Sequence, residues 1–474
     1  MKKFLQSIKQ YFVDFGVAVG KGDVWTKLSL LVMGLGYAAR GQVVKGILMT
    51  LIEIAFFAFT AQFSWQYIAK LNTLGTVETH TEGSGLVSIT IAGDNSLMIL
   101  LCGIIGIAFI LAFILLYISN MKTVYRLQQM KKNGEHINSF KEDCREMING
   151  KFYITLLTLP SLGVLLINVL PIIFMVCIAF TNYDAAHQPP SNLFTWVGLK
   201  NFKTLFSMNK SNGFGYAFIR ILIWTLIWAF LATFTTYILG ILLAKFINNE
   251  HTKGKKVWRS LFVVTIAIPQ FVTLLLVSKM FSNYGIVNGI CSKIGLTSFL
   301  QSIGLVSKSL TYIPFLTKPG WAHVMIILIN IWVGVPYQML IATGILMNIP
   351  TDQLESAKID GATNFQIFWK ITMPYMLFVT GPSLITSFIG NINNFNVIYL
   401  LTGDYTTTNS SFAAADASEV DLLVTWLFNL TSESTTKRYY MASVIGIIIF
   451  IICAVLTLIS FRKMTSGDKE EVYQ

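Results

Sequence analysis

Ile349-Pro350-Thr351-Asp352-Gln353-Leu354-Glu355-Ser356-Ala357-Lys358-Ile359-Asp360-Gly361-Ala362-Thr363-Asn364-Phe365-Gln366-Ile367-Phe368-Trp369-Lys370-Ile371-Thr372-Met373-Pro374 is the stretch from which the fold can be read. Physically it is a helix, a glycine break and a second amphipathic segment. Asp352 stands where an N-cap would, with Glu355 three residues on in a capping-box arrangement. Leu354, Ala357 and Lys358 fall on one side. Gly361 has no Cβ and lets the chain turn sharply. Pro374 marks entry into the next apolar run. A compact helical knob of this kind suits docking of another protein. A plain connector would have the same pattern, and the residues alone leave both readings open.

Long apolar runs flank this loop on both sides. Runs of roughly 17–25 apolar residues are long enough to cross a bilayer as helices. Eight are present, at 46–66, 97–119, 154–180, 217–247, 260–281, 321–347, 375–401 and 440–461. The composition agrees: 54% hydrophobic and 12% charged residues, with mean hydropathy +0.63. A soluble domain carries roughly 25% charge to cover its surface. The chain therefore reads as an all-α polytopic membrane protein with about eight transmembrane helices. A disordered chain, a fibre and a large soluble enzyme are excluded. Leu28–Tyr37 is too short to span and reads as an interfacial helix. The N-terminus lacks an apolar core with a small-residue cleavage site, so no removable signal peptide is expected.

The net charge of +12 orients the chain. With the N-terminus inside, cytoplasmic segments carry roughly 23 of the 35 Lys and Arg and external segments roughly 9, the positive-inside bias. Both termini and the 349–374 loop are then cytoplasmic. Nucleic acid is not an expected partner, because the basic residues are spread over five loops instead of one face. The five cysteines, Cys102, Cys144, Cys177, Cys291 and Cys453, form neither a CxxC pair nor a Cys/His cluster. No disulfide framework, metal site or catalytic residue is expected.

Along the chain, residues 1–150 hold two spans and a charged cytoplasmic segment. Residues 151–216 hold the third span and an external connection. Residues 217–462 form a core of five spans, and 463–474 a cytoplasmic tail. The external connections 181–216, 282–320 and 402–439 are long, and the last is acidic and rich in Ser and Thr. Long connections are often functional, and as solvated linkers they would look the same. Pro160, Pro171, Pro269, Pro336 and Pro382 punctuate the spans. Each frees a backbone carbonyl that lipid cannot satisfy, which favours a site facing protein or a wet cavity.

Ser387-Phe388-Ile389-Gly390-Asn391-Ile392-Asn393-Asn394-Phe395 is the most polar intramembrane stretch. Ser387, Asn391 and Asn394 stand at i, i+4 and i+7, one face of a continuous helix. Gly390 removes bulk beside them. Hydroxyl and amide groups without charge suit a neutral polyhydroxylated ligand, since a buried charge would cost desolvation. Tyr337, after the Gly334-Val335-Pro336 break, adds an aromatic wall and a hydroxyl. The same polar residues also serve as hydrogen-bonding glue between helices, and pattern alone leaves the two readings level. Glu53 is the clearest intramembrane acid, expected to be paired or near the interface. The scarcity of buried acids argues against an ion-coupled carrier.

The loop pattern resembles the EAA loop of permease subunits of binding-protein-dependent ABC importers. Glu355, Ala357, Gly361, Ile371 and Pro374 fall in its register, with Ser356 and Met373 as the departures. Trp196–Phe202, Trp332–Tyr337 and Ser387–Phe395 resemble stretches of the larger, eight-span (MalF-type) subunit of maltose/maltodextrin importers. The connection at 181–216 is short, like that of Gram-positive relatives, so contacts made there with a binding protein are in doubt.

The resemblance implies a type I ABC importer permease fold in a bacterial cytoplasmic membrane, with lipid around it. It implies a cytoplasmic coupling helix carrying Glu355, Ser356, Ala357, Asp360, Gly361 and Ala362, and a sugar site lined by Gly334, Tyr337, Ser387, Gly390, Asn391 and Asn394. A second permease subunit, a dimer of ATPase subunits and an extracellular sugar-binding lipoprotein are the implied partners. ATP and Mg are expected on the ATPase, because this chain has no GxxxxGK[ST] loop. The expected cargo is maltose or maltodextrin. Another sugar or polyol is the alternative within this class, and an ion-coupled secondary carrier the alternative outside it.

Overall fold

The computed structural model describes residues 2–82, 89–208, 213–249 and 251–464; the expected tail from 465 onward lies outside the described residues. In lipid a chain must satisfy its own backbone groups, so isolated apolar runs can cross only as helices. Among the described residues the structure is helical apart from one antiparallel strand pair, β1 (His80–Glu82) and β2 (Ile89–Ile91), with His80 opposite Ile91. Two compact units divide the chain, Met1–Gly198 and Leu199–Gln474.

The first unit contains α1 (Lys2–Lys21), α2 (Val43–Lys70), α3 (Ser96–Lys132) and α4 (Phe152–Ile178). The last three are long and apolar enough to span. α1 has no counterpart in the sequence reading, because Lys9, Asp14, Gly16 and Gly20 interrupt its apolar residues. It lies along α3, with the Tyr11 hydroxyl donating to the Leu115 carbonyl at 3.1 Å and Lys122 3.0 Å from Asp14. The single interfacial helix expected at Leu28–Tyr37 is instead a pair of short helices, Val24–Leu28 and Leu35–Ala38, joined by turns. Glu53 explains how they are held. It is 7% exposed, and its carboxylate accepts the Met33 backbone N–H at 2.8 Å.

The second unit contains α5 (Phe214–Asn248), α6 (Lys255–Ala267), α7 (Gln270–Met280), α8 (Pro319–Leu346), α9 (Thr351–Ile359), α10 (Asn364–Ile392), α11 (Phe395–Leu401) and α12 (Tyr439–Met464). The fifth expected span is broken: α6 and α7 meet at 92°. Ile268, before Pro269, is extended with ψ 125°, the conformation that a following proline ring imposes. Pro336 and Pro382 stay inside α8 and α10 without breaking them. The seventh span also differs from its expected bounds of 375–401. It begins at Asn364 and stops at Ile392, and Asn394 then caps α11 by accepting the Val397 N–H at 3.3 Å.

α5 is the central helix of this unit. α8 crosses it so closely that a Cβ on Gly240 would stand 2.5 Å from the Gln338 Cβ. Two apolar clusters pack along it. One includes Trp224, Trp228 and Ala232 with Leu274, Ile326 and Val397. The other includes Tyr237, Ile241 and Ala244 with Met339, Phe368 and Met376. Thr233 and Thr236, both buried, lie on α5 between them. The long connections carry short helices of their own, including Lys200–Phe206, Ile286–Lys293, Leu296–Ser302 and Leu423–Phe428.

Candidate functional site

The 349–374 loop is a helix–turn–helix. α9 begins after Pro350, with no side-chain cap bond, so Asp352 lies in its first turn and is not the N-cap. Proline at the N-cap position already sets the entry angle. The capping box falls one helix later. Thr363 accepts the Gln366 N–H at 3.3 Å, and the Gln366 side chain accepts the Thr363 N–H at 2.8 Å. Between these elements α9 closes in a Schellman turn. The Ala362 N–H donates to the Ala357 carbonyl at 2.9 Å, and the Gly361 N–H to the Lys358 carbonyl at 3.0 Å. Gly361 takes φ +76°, the left-handed conformation this turn requires. Glu355, Ser356 and Asp360 are exposed, and Ala357 and Ala362 half-buried. Ile359 and Phe365 point outward at 86% and 71% exposure. Large apolar side chains in water beside exposed charge form a surface suited to a protein partner.

The second candidate region gathers on α5. The Asn391 side-chain amide donates to the Thr233 hydroxyl at 2.9 Å. The Asn391 backbone carbonyl accepts the Trp228 indole N–H at 3.0 Å. The Asn394 amide donates to the Asn391 side-chain oxygen at 3.2 Å. Gly334 on α8 faces Thr236, where an added Cβ would meet the threonine methyl at 3.2 Å. Gly334 and Asn391 thus meet one stretch of α5, and Asn394 joins them through Asn391. Ser387 is half-buried one turn before Asn391; Gly390 is exposed with open space around it. Tyr337 is 54% exposed on α8.

One geometric expectation fails. Ser387, Asn391 and Asn394 do not share a helical face, because α10 ends between the two asparagines. The link from Asn391 to Asn394 is a side-chain hydrogen bond across the break. Thr233, Thr236 and Trp228 are absent from the sequence-based set, although the run Thr233-Phe234-Thr235-Thr236 inside an apolar helix was a visible signal. Among the described residues no group of three or more His, Cys, Asp or Glu could hold a metal ion.

Residues 236–464 match the family described as “Binding-protein-dependent transport system inner membrane component”. The chain is 33% identical over 444 residues to the maltodextrin transport system permease protein MdxF of Bacillus subtilis (strain 168), covering 93% of this chain and 96% of that protein. It is 30% identical over 443 residues to the galactooligosaccharides transport system permease protein GanP of the same organism, covering 93% and 97%. Among solved structures it is similar in fold to a bacterial ABC transporter involved in the import of the acidic polysaccharide alginate. That likeness has a TM-score of 0.50 at 24% identity and covers 69% of this chain and 100% of the other.

Proposed function

The chain belongs to the binding-protein-dependent ABC importer permeases of the MalF type, and we propose that it is the larger membrane subunit of an importer for neutral oligosaccharides, maltodextrins foremost. The observation that carries this reading is the uncharged network Thr233–Asn391–Asn394, set between two apolar clusters. Each amide has donors and acceptors beyond those it uses internally. A sugar needs both, and no fixed charge has to be desolvated to receive it. Gly334, Tyr337, Ser387, Gly390, Asn391 and Asn394 are the proposed sugar contacts. The maltodextrin permease MdxF supports the choice of cargo. GanP, matched over the same share of this chain, favours a galacto-configured oligosaccharide as the second reading.

In this reading α9 docks on an ATPase subunit through Glu355, Ser356, Ala357, Asp360, Gly361 and Ala362. ATP and Mg are held by the ATPase dimer, a second permease subunit completes the pathway, and an extracellular sugar-binding lipoprotein delivers the cargo. The chain crosses the bacterial cytoplasmic membrane with both termini cytoplasmic. Only the short link 360–363 joins α9 to α10, and both its ends are hydrogen-bonded. A displacement of α9 therefore passes into α10, whose far end carries Asn391. The test is uptake of labelled maltotriose and of a labelled galactotriose by cells with and without this chain. Loss of maltotriose uptake on deletion is expected. Loss of galactotriose uptake alone selects the second reading, and unchanged uptake of both overturns the proposal.

A further inference from the structure

A cavity of about 710 Å³ opens beside α7, α11 and the 402–439 connection, within the volume range of small-molecule sites. Its polar walls include Tyr399, Asp404, Asp416, Asp421, Asn429 and Glu433. The acids look like a cation cage, but each is already engaged. Asp416 lies 3.3 Å from Arg438, and Asp404 3.6 Å from Lys279. Glu433 accepts the Tyr399 hydroxyl at 3.3 Å. Asp421 accepts from the Ser418 N–H, the Thr425 hydroxyl and the Asn429 amide. An anionic ligand would meet four carboxylates. A neutral molecule rich in hydroxyls fits both facts, because a carboxylate offers about four lone-pair sites and the one or two internal bonds of Asp404, Asp416 and Glu433 leave some of them open.

Tyr399 supplies an aromatic ring to the same wall, backed by two phenylalanines. Tyr399, 41% exposed, stacks on Phe395 with centroids 4.7 Å apart and planes at 21°, and Phe428 packs edge-on against both. Phe395 directly follows Asn394. At about 1.5 Å of rise per residue, Tyr399 lies about 7.5 Å along the helix from Asn394. The cavity is therefore joined by one short helix to the asparagines of the proposed sugar site.

We propose that this cavity is a second saccharide subsite, holding the far end of a longer neutral oligosaccharide while the near end contacts Asn391 and Asn394. The inference rests on the proposed function. It is tested by saturation kinetics of uptake by the intact transporter, with maltose, maltotetraose and maltoheptaose, for the wild type, Tyr399→Ala and Glu433→Gln. The KM for the tetramer and heptamer is expected to rise about five- to tenfold, on the scale of one lost aromatic face or hydrogen bond. The KM and the maximal rate for maltose are expected to stay unchanged, which a folding defect would not allow. An unchanged KM at every length, or an equal rise at every length, overturns the subsite. A wild-type transporter that moves no neutral saccharide overturns the proposed function instead.

Discussion

Asn391 and Thr233, 158 positions apart in sequence, share a hydrogen bond of 2.9 Å that ties the end of α10 to α5. With its oxygen taken by Asn394, the Asn391 amide is fixed in orientation. One N–H and one lone pair remain for a ligand. Thr233→Val keeps the shape and removes the acceptor, so the KM for sugar uptake is expected to rise about tenfold, in line with one buried hydrogen bond. Thr233→Ser keeps the hydroxyl and is expected to restore the wild-type value. Asn391→Leu is expected to impair uptake with the protein still inserted. Wild-type uptake by both the Val and the Leu variant would remove this pair from the site.

Coupling through α9 is tested at its two ends. Glu355→Lys reverses an exposed charge without touching a buried contact, and is expected to abolish ATP-driven uptake at normal membrane levels of the protein. Gly361→Ala meets no steric neighbour within 4 Å, so its whole cost is the left-handed backbone at φ +76°, roughly 1–2 kcal/mol. That is enough to loosen the Schellman turn, and a several-fold fall in sugar-stimulated ATPase activity of the reconstituted transporter is expected. Normal uptake by the Glu355 variant together with normal stimulation in the Gly361 variant would dissociate this loop from coupling.

The spans were legible because lipid leaves an apolar run few alternatives. Pro269 was legible as punctuation, but nothing local says whether a proline stays inside a helix, as Pro336 and Pro382 do, or turns the chain through 92°, as Pro269 does. The end of α10 was misread for a related reason. Asn394 can continue a helix or cap the next one, and the free Val397 N–H decides for the cap. In the 349–374 loop the Asp352–Glu355 pattern is not used, because Pro350 already occupies the N-cap of α9, and the capping box forms instead at Thr363–Gln366, at the start of α10. Asn391 could be named from sequence, since an amide in lipid is conspicuous. Its partners Thr233 and Trp228 could not be paired with it, because a contact across such a separation leaves no local trace. The cavity beside Tyr399 was hidden for the same reason.

The α5–α8 crossing supplies a paired control. A Cβ at Gly240 would press on the Gln338 Cβ at 2.5 Å and on the Met339 backbone nitrogen at 3.0 Å, whereas one at Gly344 meets nothing within 4 Å. Gly240→Ala is therefore expected to force the two helices apart at a cost of about 1–3 kcal/mol. Gly344→Ala, within α8, is expected to be neutral or slightly stabilising through helix propensity. Thermal unfolding of the detergent-solubilised transporter measures both. A Gly240 variant as stable as the Gly344 variant would contradict the close approach.

Asp421 gives the molecule a pH dependence of known sign. Burial pushes its carboxyl up to about 6, against donors that pull it down. An acid whose folded value lies above its unfolded 3.8 favours the fold most below that lower value, and loses this contribution as pH rises through about 6. The contribution of Asp421 therefore favours the fold more at pH 5 than at pH 7.5. Asp421→Asn removes the charge and can keep the network. Its oxygen can accept from the Ser418 N–H and the Asn429 amide, and its NH₂ can donate to Thr425, whose hydroxyl then bonds the Leu422 carbonyl, 3.1 Å away. The melting temperature at pH 5 minus that at pH 7.5 should accordingly be lower in the variant than in the wild type, with a gain in stability at pH 7.5 of no more than ~3 kcal/mol. An identical pH dependence in variant and wild type would show that Asp421 does not titrate in this range.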